Sequence, residues 1–224
     1  MQLPGRHTFA IIPGSLYGKK LAAFAQQENK EIILHLPLQA SSIKAPSEEN
    51  TLNELMDENQ LGAKTAAMLS EFKNIRGINN HMGSHLTQFD YFMRPILESV
   101  KTYQSKLFFL DSRTSPKSVA YAEAIKSGLN AISRDVFLDN EHENKESIHL
   151  QFQIWLQIAR ERGSSVAIGH PHTGTIEYLK NNITATEQLF QFMTVSTLIE
   201  LTHQEKPLSP WDAKLSRLQN PENR

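Results

Sequence analysis

Residues 106–140 read KLFFLDSRTSPKSVAYAEAIKSGLNAISRDVFLDN, and this stretch decides the fold class. KLFFLDS is an apolar run of strand length. SPKSVAYAEAIKSG follows as a helix, with Pro116 suited to its first turn and Gly128 placed just past its end. NAISRDVFLD then returns to a strand. A strand, a helix and a second strand in so short a span form a βα unit, which the handedness of chains builds into a parallel sheet.

The same alternation extends in both directions, so the chain reads as α/β. TFAII is a first strand, closed by Pro13 and Gly14, and GSLYGKKLAAFAQQEN carries Leu16, Lys20, Ala23 and Phe24 at helical spacing. EIILHLPL is a second strand, broken by Pro37. SEENTLNELMDENQLGAKTAAMLSEF opens on Ser47 and acidic residues suited to a helix start, and divides into two helices near Gly62. IRGIN is a short strand and QFDYFMRPILESVKTYQ a helix. Beyond the opening stretch come the long helix NKESIHLQFQIWLQIARERG, the strand SSVAIGHP and the helix TIEYLKNNITATEQLF. No repeat or linker interrupts the series, so residues 1–205 form one domain. Pro and Ser gather only after it, and residues 206–224 read as a loose tail.

Composition narrows the chemistry. The 224 residues are 39% hydrophobic, with a formal net charge of −1, so no basic stripe exists to track nucleic acid. No apolar run reaches the roughly 18 residues of a membrane span. The start, MQLPGRHTFAIIPGS, lacks the charged and apolar regions of a signal peptide. With no cysteine, histidine, carboxylate and serine are left to do the work.

Ligands of parallel sheets sit outside the carboxyl ends of the strands, and polar residues gather there. His35 ends EIILH, His81 follows IRGINN, Asp111 ends KLFFLD, Asp135 and Asp139 flank VFL, and His170 ends SSVAIGH. Five of the nine histidines (His35, His81, His85, His170 and His172) lie in this rim. A single rim histidine is more often a packed, hydrogen-bonded residue than a ligand, but several together point to a metal. In GINNHMGSHLT, Gly83 argues against a regular helix and frees the backbone to turn, so His81 faces the cleft while His85 points away. His7, His142, His149 and His203 read as surface residues.

The segments TFAIIP, EIILHLPLQA, GINNHMGSHLT, FFLDSRTSPKSVAYAEAIKSGLNAISRDVFLDN and SSVAIGHPH together resemble, in order and character, the divergent polysaccharide deacetylase family, a branch of the NodB-like carbohydrate esterases. The likeness spans roughly Phe9 to Leu179. It implies a distorted, incomplete (β/α) barrel, a divalent metal at the strand ends, and hydrolysis of an N- or O-acyl group on a sugar polymer. It also implies a periplasmic or cell-envelope address for the full-length parent. Related deacetylases begin with a strand ending in an Asp-Asp pair, a general base and a metal ligand. This chain has no such pair, and its first strand looks like the family's second.

The site expected on this reading is a divalent cation, zinc above all, held by His35, His81 and His170. Such a cation would polarise an acyl carbonyl and acidify water. Asp111 is a further ligand or orients one of the imidazoles, against the alternative that it caps the turn from Ser112 to Thr114. Arg113 and Arg134 bind a substrate carboxylate or steady the oxyanion, against the alternative of pairing with Asp135 or Asp139. Asn80, Ser84, Asp135 and His172 complete the rim as substrate-binding candidates, with a carbohydrate polymer or oligosaccharide as the partner. The competing reading from another class is a non-catalytic carbohydrate-binding envelope protein that has lost the Asp pair. A metal phosphoesterase would need more carboxylate ligands than these strand ends supply.

Overall fold

The computed structural model describes residues 3–41, 50–140 and 144–204, with the side chains of residues 203 and 204 left out of the description. The expected tail, residues 206–224, and His142 therefore lie outside the described residues, as does Ser47.

Five strands form a parallel sheet in chain order: β1 (Thr8–Ile11), β2 (Glu31–Leu38), β3 (Gly77–Met82), β4 (Phe108–Asp111) and β5 (Asn130–Ser133). Two shorter strands, β6 (Val136–Phe137) and β7 (Ala167–Ile168), make a second parallel pair. Only Arg134 and Asp135 separate β5 from β6, so one bent run of chain pairs first with β4 and then with β7. The helices are α1 (Gly18–Gln27), α2 (Glu58–Ser70), α3 (Asp90–Tyr103), α4 (Ala120–Lys126), α5 (Lys145–Arg162), α6 (Thr173–Thr186) and α7 (Val195–Gln204). The fold is thus the expected α/β type with a parallel sheet. Among the described residues no pairing joins β7 back to β1, and β1 is an edge strand paired with β2 alone.

The two-residue period of a strand sorts the side chains onto two faces. On β2, Ile32, Leu34, Leu36 and Leu38 are buried in the layer shared with α1, α2, α3 and α4. Ile33 points the other way and packs with Phe108, Leu110, Val166 and Ile199 of α7. We call this second face the inner one. Val136 of β6 and the following Leu138 pack with Phe152 and Leu156 of α5 and Ile183 of α6, which sets Phe137 on the opposite side of the strand.

Several local expectations change on contact with the structure. Gly62 does not divide a helix: α2 runs through it, and Ser99 of α3 donates to the Gly62 carbonyl at 2.9 Å. The start of α2 is Asp57, whose carboxylate accepts from Gln60 N–H while the Gln60 side chain answers the Asp57 N–H. Pro37 does not break β2, because its carbonyl accepts from Leu52 N–H and its register partner on β3 is still His81. The buried residues of α1 are Gly18, Ala22 and Ala25, whereas Leu16 and Phe24 are 86% and 45% exposed. Helix α7 went unread in the sequence, although it seals the bottom of the inner face.

Candidate metal centre and its cleft

A cleft of about 2050 Å³ opens on the inner face, and His35, His81, Phe137 and His170 all line it. Strand parity explains the first two. His35 shares the face of Ile33, and its register partner Asn79 shares the face of His81. Apolar residues fill this face toward α7, and polar ones occupy it toward the carboxyl ends.

His35 and His81 form a locked pair. His35 Nδ1 lies 2.9 Å from Asn79 Oδ1, which can only accept, so His35 donates there. Burial, reinforced by the like charge of His81, pushes the His35 pKa down to about 3. A neutral ring donating from Nδ1 must accept at Nε2, and His81 Nδ1 stands 3.1 Å away to donate. A neutral His81 that donates from Nδ1 carries its lone pair on Nε2. Asn79 is fixed in turn by donating to Ser112 Oγ at 3.1 Å. Both nitrogens of His35 are therefore engaged inside the protein.

The second group stands on the β6–β7 pair. Asp139, His170 and His172 each offer a ligand atom within 4.8 Å of the others, the one such group of three among the described residues. Asp139 is 1% exposed. Its Oδ2 accepts from His170 N–H at 2.7 Å and from Thr175 Oγ1 at 2.8 Å, and its Oδ1 lies 3.2 Å from His170 Nδ1. A carboxylate holding one imidazole nitrogen aims the other outward, the arrangement metal-bound histidines use. One carboxylate and two imidazoles suit a borderline divalent cation such as zinc. Of this group His170 lines the same cleft as His35 and His81.

The remaining candidates lie as follows. Asp111 shares the face of Phe109, not of Leu110, and so points into the helix layer. Its carboxylate accepts from Arg113 N–H, Ser118 Oγ and Tyr121 N–H at 2.8, 2.8 and 3.3 Å, the turn-capping arrangement. Asn80 braces the loop after β4, accepting from Ser112 N–H at 2.8 Å and donating to the Met82 carbonyl. Ser84 ties the loop after β2 through Ser41, and Asp135 joins β6 to β7 by accepting from Val166 N–H while facing Arg162. Arg134 donates to the carbonyls of Ser112 and Arg113 at 2.6 and 2.8 Å and lies over the Phe137 ring. His85 turns away from the cleft to Glu54, 2.7 Å off, whose carboxyl it holds below the usual range. The turn rests on Gly83, at φ 90°, where a Cβ would meet Leu38 at 2.9 Å.

Asp139 and His172 are the two members of this group that the sequence reading does not name as ligands: it leaves Asp139 at the rim and gives His172 as a substrate-binding candidate. For Asp139 a signal was present: in VFLD it alternates with Phe137 against the apolar pair Val136 and Leu138.

A model of the divergent polysaccharide deacetylase family matches residues 1–199. The chain belongs to that family. Over 221 residues it is 30% identical to the uncharacterized protein YibQ of Escherichia coli (strain K12), covering 99% of this chain and 68% of that protein. An uncharacterized protein of Haemophilus influenzae is 31% identical over 197 residues, which span 88% of this chain and 69% of the relative. Among solved structures, an uncharacterized protein from Agrobacterium tumefaciens C58 superposes with a TM-score of 0.74 at 18% identity, over 88% of this chain and 91% of that one. That likeness is one of fold.

Proposed function

We propose that this family member is a metal-dependent hydrolase that removes acyl groups from a carbohydrate polymer. The observation that carries the reading is the Asp139, His170 and His172 group, whose His170 lines the same cleft as the hydrogen-bonded His35 and His81. Asp139, His170 and His172 would hold the cation, which when bound supplies Lewis-acid polarisation of the acyl carbonyl.

The protein's own residues supply the rest. Asp139 fixes the His170 ring and ties it to α6 through Thr175. Asn79 and His35 fix the His81 tautomer, so His81 Nε2 is the proton acceptor for an attacking water and the donor to the leaving amine or alkoxide. In this reading His35 positions His81 and does not bind the cation. Asp111 acts through the loop it caps, which carries Arg113. The envelope is the proposed place of work, where such polymers lie.

The test is acetate release from an N-acetylated or O-acetylated polysaccharide by the zinc-loaded protein. Release that stops with a chelator and returns with zinc is expected. Saccharide binding with no acetate release under any metal would instead favour the non-catalytic carbohydrate-binding protein.

A further inference from the structure

Asp139 holds the His170 ring at one nitrogen, and a single hydrogen bond does not fix the plane of a ring. Its Oδ1 accepts from His170 Nδ1 at 3.2 Å, which leaves the imidazole free to tilt about that contact. The His170 side chain is 43% exposed, so its surroundings do not clamp it on every side. A second contact comes from Phe137. The two ring centres lie 5.2 Å apart with 46° between the planes, inside the range of about 4.5–7 Å over which aromatic pairs attract. Phe137 and His170 both line the cleft.

Phe137 is itself held in place. Its register partner across the β6–β7 pair is Ile168, two residues before His170. The Arg134 guanidinium carbon lies over the Phe137 ring, 5.0 Å from its centre, a cation–π contact. Arg134 is tied down in turn, donating to the Ser112 carbonyl at 2.6 Å and to the Arg113 carbonyl at 2.8 Å. Two donors in one rigid plane orient the fork as a lysine ammonium could not. Ser112 Oγ also accepts from Asn79, the residue paired with His35. A line of contacts therefore runs from the His35–His81 pair through Asn79, Ser112 and Arg134 to Phe137 and His170.

From this geometry we infer that Phe137, braced by Arg134, is a positioning residue for His170: its ring sets the plane of the imidazole and with it the direction of the Nε2 lone pair. The carboxylate fixes a nitrogen and the aromatic ring fixes a plane, and the two together specify the ligand geometry that neither sets alone. The consequence for zinc rests on the metal-centre reading above. The hold on the ring does not, since both contacts exist without a cation. Leucine at 137 would keep apolar volume and lose the flat face, whereas tyrosine would keep the face.

Phe137→Leu, Phe137→Tyr and Arg134→Lys test it in the full chain, with melting curves to confirm that each folds. The first readout needs no metal: ¹³C relaxation of the His170 Cε1–H bond measures how firmly the ring is held. Its order parameter should fall from about 0.8 toward about 0.6 in Phe137→Leu, fall less in Arg134→Lys, and stay unchanged in Phe137→Tyr. The second readout is zinc affinity by calorimetry, expected to drop about tenfold in Phe137→Leu and to return in Phe137→Tyr. Should Phe137→Leu fail to fold, Arg134→Lys decides by the same two readouts. A His170 ring as rigid in folded Phe137→Leu as in the wild type overturns the inference. So does an equal loss in Phe137→Tyr, or a zinc affinity that Phe137→Leu leaves unchanged. A wild type that takes up no zinc, with a His170 ring that Phe137→Leu still loosens, would sink the metal reading while supporting this one.

Discussion

His35 with His81 on the five-stranded sheet, and His170 with His172 on the β6–β7 pair, begin from the same sequence signal: histidines at the carboxyl ends of parallel strands. The structure gives them different surroundings. The first pair is closed on itself by Asn79, and His35 is driven neutral by burial. The second pair gathers around a buried carboxylate, with the His170 side chain 43% exposed. A rim histidine next to a committed amide is held inside the protein's own hydrogen bonds, and one next to a buried carboxylate becomes a ligand candidate. The neighbour on the same strand face decides which.

The largest effect should come from the carboxylate. Asp139→Ala removes the acceptor for His170 N–H and Thr175 Oγ1, and leaving such donors buried without partners costs about 2–5 kcal/mol, measurable by urea unfolding. The gentler Asp139→Asn should still lower zinc affinity by about 100-fold in calorimetry, because shape survives and charge does not. Unchanged zinc affinity in a folded Asp139→Asn protein would dissolve the distinction between the two pairs.

His81→Ala should lower turnover by about 10²–10⁴, the range of a lost general acid–base group, while zinc affinity falls far less than in His170→Ala. Matching losses of zinc in both variants would merge the two groups into one site.

The neutral state of His35 gives a pH signature in the metal-free protein. Its folded pKa of about 3 lies below the ordinary 6.5, so the unfolded chain takes up a proton that the folded one refuses. The contribution is complete above pH 6.5 and is lost as pH falls toward 3, with a slope of at most about 1.4 kcal/mol per pH unit. His35→Gln should flatten that slope in unfolding curves recorded across the window. A slope left intact would show that His35 is not the group titrating.

The smallest effect is expected at His85, which faces Glu54 and not the cleft. His85→Ala should leave zinc affinity and turnover unchanged.

Much of this was legible before any coordinates. Alternation of apolar runs gave the parallel α/β plan, and the strand-end rule gathered His35, His81 and His170 into one cleft. Two kinds of information were not used or not present. Face parity was present: it separates Asp111, which follows Phe109 into the helix layer, from Asp139, which alternates with Phe137 in VFLD. The partner switch of the bent β5–β6 run was not, because two-residue strands carry too little periodicity to announce themselves. Nor could α1 be oriented from its apolar residues, since small alanines form its buried side and Phe24 stays largely in solvent.

The central claim is that the carboxylate-bearing pair, and not the amide-bearing one, holds the metal. Crystals of the zinc-loaded protein, with anomalous scattering recorded on both sides of the zinc edge, test it most directly. The account predicts one zinc within about 2.0–2.2 Å of an oxygen or nitrogen of Asp139, His170 and His172, with the His35–His81 hydrogen bond intact. A zinc seated between His35 and His81, or no zinc in the cleft at all, would contradict it.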